Sequence, residues 1–253
     1  MFSASLTYVL IVVPISVALG LGSALLISSL RIGNELYKAI FFLPVMATLL
    51  AMAIVWEFAL NPIMGVVNDI LRSGCDKRLI YGFFTGAWYG ADPLQSWYGT
   101  ACADKFPIWL GDKRYALGTI AFIGIWQGFG FNMVLYLAGL TSVPRELYQA
   151  AHMDGADSAW ERFKLVTWPM LGPTHVFVIT ISSIRSFQVF DTVEALTEGG
   201  PSKSTYVMVY AMFEKGVRQN LLGIGSAITI VFLAFVLVLT LIQVYFVNRR
   251  VHY

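Results

Sequence analysis

Charge is scarce in this chain of 253 residues: Asp, Glu, Lys and Arg make up 13% of it, about half the roughly 25% usual in soluble domains. Hydrophobic residues fill 57%, the balance of an integral membrane protein. A Gly-x-x-x-x-Gly-Lys-Ser/Thr cradle is missing, which excludes nucleotide binding in the P-loop manner by this chain. Histidine occurs three times, as His152, His175 and His252, too scattered to suggest a metal site. No basic run with interleaved aromatics accompanies the net charge of +2, so there is no footprint for nucleic acid. Internal repeats of the kind a secondary transporter needs are absent as well. An intramembrane serine protease remains the remote enzymatic alternative, since Ser23 and Ser226 each follow a glycine. It would need a histidine at membrane depth to activate the serine, and His175 falls at the end of a span.

What the chain does have is long apolar runs. Residues 6–30 carry no charge, enough to cross a bilayer with some tilt; Gly20, Gly22, Ser23 and Ala24 offer small residues for close helix packing. A second span is expected at 39–60, kinked at Pro44 and with Trp56 near an interface; Glu57 in that span is expected either at the membrane edge or in a polar cavity, since it is costly against lipid. Others are expected at 117–140, 174–195 and 221–247, the last running out at Arg249 and Arg250. Residues 202–220 read as a polar loop and a surface helix. The expected fold is an all-α membrane protein with five transmembrane helices and a large insert at 61–116. That divides the chain into 1–60, 61–116 and 117–253.

Residues 144–173 are the one polar stretch that reads as two short helices around a corner. Pro144 suits a first helical turn, and Glu146 lies near the positive end of the helix dipole. Gly155 can take the left-handed conformation that ends that helix. Ser158 and Glu161 have capping-box spacing, and the second helix is expected to stop before Pro169. Ala150 and Ala151 leave room for another protein to approach.

In register along this stretch stand Pro144, Glu146, Leu147, Tyr148, Ala150, Ala151, Asp154, Gly155, Ala156, Phe163, Pro169 and Pro173. It resembles the EAA loop of ABC-transporter permeases of the sugar-uptake type, which includes the maltose and glycerol-3-phosphate importers. Two positions depart from the family pattern: Gln149 stands where it has glutamate, and Trp168 where an apolar residue usually precedes Pro169. Gln149 can hydrogen-bond a partner's arginine but cannot form an ion pair with it. Phe187-Gln188-Val189-Phe190-Asp191, leading to Leu196-Thr197-Glu198-Gly199-Gly200-Pro201, resembles the family again. The resemblance implies a permease subunit forming half of a translocation pathway. Its ATPase-coupling residues would be Glu146, Tyr148, Gln149, Ala150, Ala151, Asp154, Gly155 and Ala156. Phe187, Gln188 and Asp191 would line the substrate path, with Trp126, Gln127 and Asn132 opposite; interhelix hydrogen bonding is the competing reading of the latter three. Arg185 in the same span either serves structure or favours an anionic cargo such as glycerol-3-phosphate.

The implied partners are a second permease, an ATPase dimer, an extracytoplasmic solute-binding protein and membrane lipid. No cofactor is expected on this chain, and no enzymatic role: ATP and magnesium belong to the ATPase. The implied location is the bacterial inner membrane, with the EAA-type loop and the C-terminus cytoplasmic and the N-terminus outside. Loop charge does not decide this orientation, because nine basic residues fall on the opposite side, mostly in the long insert. Related permeases usually have at least six helices, so an upstream helix is expected to be lost or dispensed with. They also have a much shorter connection where the 61–116 insert lies, which reads as a cap or as a docking surface for the binding protein. Outside the cytoplasm, Cys75 and Cys102 are expected to form a disulfide.

Overall fold

The computed structural model describes residues 1–30, 33–62, 64–68, 70 and 107–248, the side chains of 49, 50 and 243–248 apart. Among these residues the regular structure is entirely helical. The elements are α1 (Phe2–Ser29), α2 (Asn34–Met46), α3 (Leu49–Ala59), α4 (Ala116–Thr141), α5 (Arg145–Met153), α6 (Ala159–Arg162), α7 (Gly172–Phe187), α8 (Asp191–Leu196), α9 (Met208–Phe213) and α10 (Leu222–Asn248). Among the described residues, four stretches are long and apolar enough to cross a membrane: α1, α4, α7 with α8, and the part of α10 up to Ile242. The bent pair α2 and α3 passes the same test only with its two helices taken together.

Helix α1 has no charged residue, and its 28 residues reach about 42 Å at 1.5 Å each, more than the roughly 30 Å of a bilayer core. It lies along α4. Tyr8, Val9, Val12 and Val13 meet Ile120, Ala121 and Ile125 in one apolar cluster, which also takes in Phe187 and Val193. A second cluster joins Ala24 and Ile27 to Met133, Tyr136, Leu171 and Val178. Two glycines set how closely these helices approach. A Cβ on Gly20 would fall 2.6 Å from the Cβ of Asn132, and one on Gly130 would fall 2.1 Å from the carbonyl oxygen of Phe41 in α2. Gly22, by contrast, faces open space.

The single kinked span expected at 39–60 is instead two helices bent by 96°. Pro44 lies inside α2, and the break comes at Ala47 and Thr48, both extended, with ψ of 139° and 138°. Proline removes the N–H that would bond the Ile40 carbonyl. The last turn is thereby weakened, and the two extended residues complete the turn away. The fourth span also breaks. Helix α7 ends at Phe187, Gln188 to Phe190 leave helical geometry, and α8 restarts at Asp191.

Two other expectations need correction. Helix α9 is no surface helix: Val207, Met208, Tyr210 and Ala211 are all buried, and its Met208 N–H donates to the Ser5 hydroxyl of α1 at 2.9 Å. Its apolar face was hidden in sequence by the polar residues on either side. The helix after the corner also passes Pro169 rather than stopping before it. A π turn at Phe163–Thr167 follows α6, and Trp168–Met170 continues as α-helix. The Trp168 N–H bonds the Phe163 carbonyl, five residues back, so the register widens by one residue just before Pro169, which has no N–H to donate.

Helix α10 is peripheral, its Leu222–Ile242 stretch only 6% buried against 39–44% for α1, α4 and α7 with α8. Phe235 ties it to the rest, its ring centroid 4.7 Å from Phe2 and 5.3 Å from Phe187. The centre of the 61–116 insert, and with it Cys75 and Cys102, lies outside the described residues. Its two ends meet, since the Trp109 indole donates to Asn68 Oδ1 at 2.8 Å.

Candidate functional site

Both helix breaks face the same cavity. Its volume is about 410 Å³, and its walls come from α1 (Tyr8, Val12, Ser16), the α2–α3 break (Val45, Ala47, Thr48), α4 (Gln127, Gly128, Asn132) and the α7–α8 break (Arg185, Gln188, Phe190, Asp191). Irregular backbone at membrane depth is tolerated where it lines a cavity instead of meeting lipid. The same geometry frees backbone polar groups to face a solute.

A buried hydrogen-bond network forms one wall. Asn132 Nδ2 donates to Ser16 Oγ at 3.3 Å, and Ser182 Oγ donates to Asn132 Oδ1 at 2.9 Å. These bonds join α1, α4 and α7, and all three residues are buried. The Asn132 amide is thus engaged between helices, as the packing reading of the polar residues in this span expects. On the open side stand Arg185, Gln188 and Asp191, all exposed. The Arg185 guanidinium lies over the Phe131 ring, 4.7 Å from its centroid, a cation–π arrangement that holds it without cancelling its charge. Among the described residues it forms no ion pair.

Of the six expected path residues, Gln127, Asn132, Gln188 and Asp191 reach the cavity. Two do not. Phe187 is 2% exposed and packs into the apolar cluster, because the last turn of α7 points it toward Phe235. Trp126 turns the other way from Gln127 on α4 and meets Trp56 of α3 edge-on at 5.5 Å. Tyr8, Ser16, Thr48 and Ser182 also line the cavity and escaped sequence reading. Small hydroxyls in an apolar span carry no signal by themselves. Glu57 is exposed near the end of α3 and does not line the cavity.

The second constellation is the corner after α4. Gly155 takes φ +89°, and the Ala156 N–H closes back on the Ala151 carbonyl at 2.9 Å. Val143, Ala151, Ala156 and Val166 form a small core under α5, with Tyr148 packed against it. The Tyr148 hydroxyl lies 3.0 Å from Thr167 Oγ1 in the π turn. Glu146, Gln149, Ala150, Asp154 and Gly155 are exposed, so Ala151 and Ala156 serve the inner face and the others the outer. Both arms of the capping box form: the Glu161 N–H donates to Ser158 Oγ at 3.1 Å, and the Ser158 N–H to Glu161 Oε2 at 3.0 Å. The bond from the Ser158 N–H holds the Glu161 carboxyl below its ordinary pKa.

A polar cavity at paired helix breaks, with a capped helical corner one helix away, defines the class: a membrane-spanning transport subunit. Residues 6–252 match the family described as binding-protein-dependent transport system inner membrane component, and the chain belongs to that family. The sn-glycerol-3-phosphate transport system permease protein UgpA of Brucella abortus biovar 1 is 30% identical over 254 residues, covering 99% of this chain and 76% of that relative. A probable ABC transporter permease of Pyrococcus horikoshii is 29% identical over 241 residues, covering 95% and 73%. A bacterial ABC transporter involved in the import of the acidic polysaccharide alginate shares the fold, with a TM-score of 0.77 at 22% identity over 98% of this chain and 77% of that one. A second structure shows a bacterial alginate ABC transporter in complex with its alginate pentasaccharide-bound periplasmic protein.

Proposed function

We propose that this permease forms half of the import pathway for a carbohydrate, and that it is driven through residues 144–173 by a separate ATPase. The carrying observation is the cavity at the two helix breaks, lined by amides, hydroxyls and the Asp191 carboxylate. Its volume falls within the range of about 300–1,000 Å³ typical of small-molecule sites. Such groups hold sugar hydroxyls, while Phe190 supplies aromatic surface for a ring face. In a second reading the cargo is a small anion or an acidic sugar, because Arg185 lines the same cavity with no ion-pair partner among the described residues. The similarity to an sn-glycerol-3-phosphate permease supports this second reading.

In the mechanism, the exposed face of α5 seats in a cleft of the ATPase, with Glu146, Tyr148, Gln149, Ala150, Ala151, Asp154, Gly155 and Ala156 forming the contact or its support. ATP and magnesium stay on that partner. Its closure pushes the corner, and the helices rock between inward-open and outward-open states. A second permease completes the path and a binding protein delivers the solute. The corner and the C-terminus are cytoplasmic in this scheme, and the N-terminus is outside.

The test is uptake in proteoliposomes holding the chain with its second permease, ATPase and binding protein. Gln188→Ala is expected to weaken apparent solute affinity about tenfold, the scale of one lost hydrogen bond to solute. Arg185→Gln is expected to abolish uptake of an anionic solute and spare a neutral one. Unchanged affinity in Gln188→Ala removes that residue from the path, and absence of ATP-driven uptake by the wild-type assembly ends the proposal.

A further inference from the structure

Between the corner and the cavity runs a line of contacts that the functional reading leaves unused. Trp168, at the end of the π turn, lies against the His175 ring of α7 with centroids 4.4 Å apart. His175 Nδ1 is 2.9 Å from the hydroxyl of Tyr136 on α4, a residue with no solvent exposure. Asn132 stands one helical turn before Tyr136, and Ser182 two turns after His175, so both polar pairs lie on the same facing sides of α4 and α7. The pairs Tyr136–His175 and Asn132–Ser182 therefore make two rungs between these helices, and the inner rung is itself a cavity wall. At the outer end, the Tyr148–Thr167 contact ties α5 to the π turn next to Trp168.

We propose that this ladder is the mechanical link of the transporter, with His175 as its positioning residue. It clamps α4 and α7 into one rigid body, so that a push on α5 arrives at the cavity as a movement of Asn132, Gln127 and Arg185 together. Chemistry and placement both support it. Polar groups inside a membrane hold their partners because the alternative is an unsatisfied donor or acceptor in apolar surroundings. Packed interiors pass displacement on as a body instead of absorbing it. Helices α1 and α10 have no such rung to α7 on the corner side among the described residues. The inference rests on the coupled-import reading above.

The experiment compares wild type with Tyr136→Phe and Trp168→Leu in the complete reconstituted importer, measuring ATP hydrolysed per solute carried. Tyr136→Phe removes one hydroxyl and leaves the ring, so assembly is expected to survive. Each variant is expected to keep ATP hydrolysis that responds to the loaded binding protein, while ATP used per solute rises at least threefold. A stability role alone lowers hydrolysis and uptake together and leaves the ratio unchanged; that outcome overturns the proposal. Should Trp168→Leu fail to assemble, Thr167→Val tests the outer tie to α5 by the same ratio. A wild-type assembly without coupled uptake defeats the import reading, whereas a coupled wild type with unchanged variants defeats only the ladder.

Discussion

At the scale of the residue, Gly155 shows how geometry sharpens a sequence expectation. The sequence predicts a left-handed residue there, ending α5. The structure puts nothing within 4 Å of a Cβ at this site, while φ stands at +89°. Handedness, not volume, is the constraint within this chain: a left-handed backbone costs an ordinary L-residue about 1–2 kcal/mol, and asparagine tolerates it best. Gly155→Asn is expected to keep most of the transport-linked ATP hydrolysis, and Gly155→Val to lose most of it, measured in the full importer. Equal loss in both would show that contact with the partner, not backbone conformation, sets the requirement.

At the scale of the element, the capping box separates two contributions to the corner. Substituting Ser158 by Ala is expected to destabilise the start of α6 by about 1 kcal/mol. The Glu161 arm depends on pH. Because the folded carboxyl titrates below its ordinary value of 4.5, the folded state binds fewer protons than the unfolded one between the two values. Its contribution is therefore complete above pH 4.5 and fades as pH falls through the lowered value. Amide protection factors across 159–162 should decline in that acid window in wild type and stay flat in Glu161→Gln. This cap was legible in sequence because side chain and partner lie three residues apart, and so were Gly155 and the long apolar spans. The break at Ala47–Thr48 was not, since nothing local distinguishes a proline that kinks a helix from one that precedes its end. Phe187 was misplaced for a related reason: the motif names residues on consecutive positions, but the last turn of α7 sends Phe187 to the core and Gln188 to the cavity. Arg185, conversely, reads in sequence either as structural or as favouring an anionic cargo, and the Phe131 ring beneath it required coordinates.

At the scale of the whole molecule, the cavity is unfinished. Arg185, Gln188 and Asp191 line it and are nevertheless exposed. A charged side chain facing lipid at mid-membrane costs about 2.5–3.5 kcal/mol even by insertion scales. The open side must therefore meet water or another protein, never acyl chains. By contrast α10 presents Ile230, Val231, Leu233, Leu237 and Val238 outward, a surface suited to lipid. The second permease of the proposed assembly is thus expected to cover the Arg185 side. A photo-cross-linking residue placed at position 185 should trap that permease in the assembled importer, with solute-filled binding protein and ATP changing the yield as the pathway alternates. Adducts to lipid alone at this position would mean that the charged side is not the one completed by the partner, and that Arg185 and Asp191 reach water by another route.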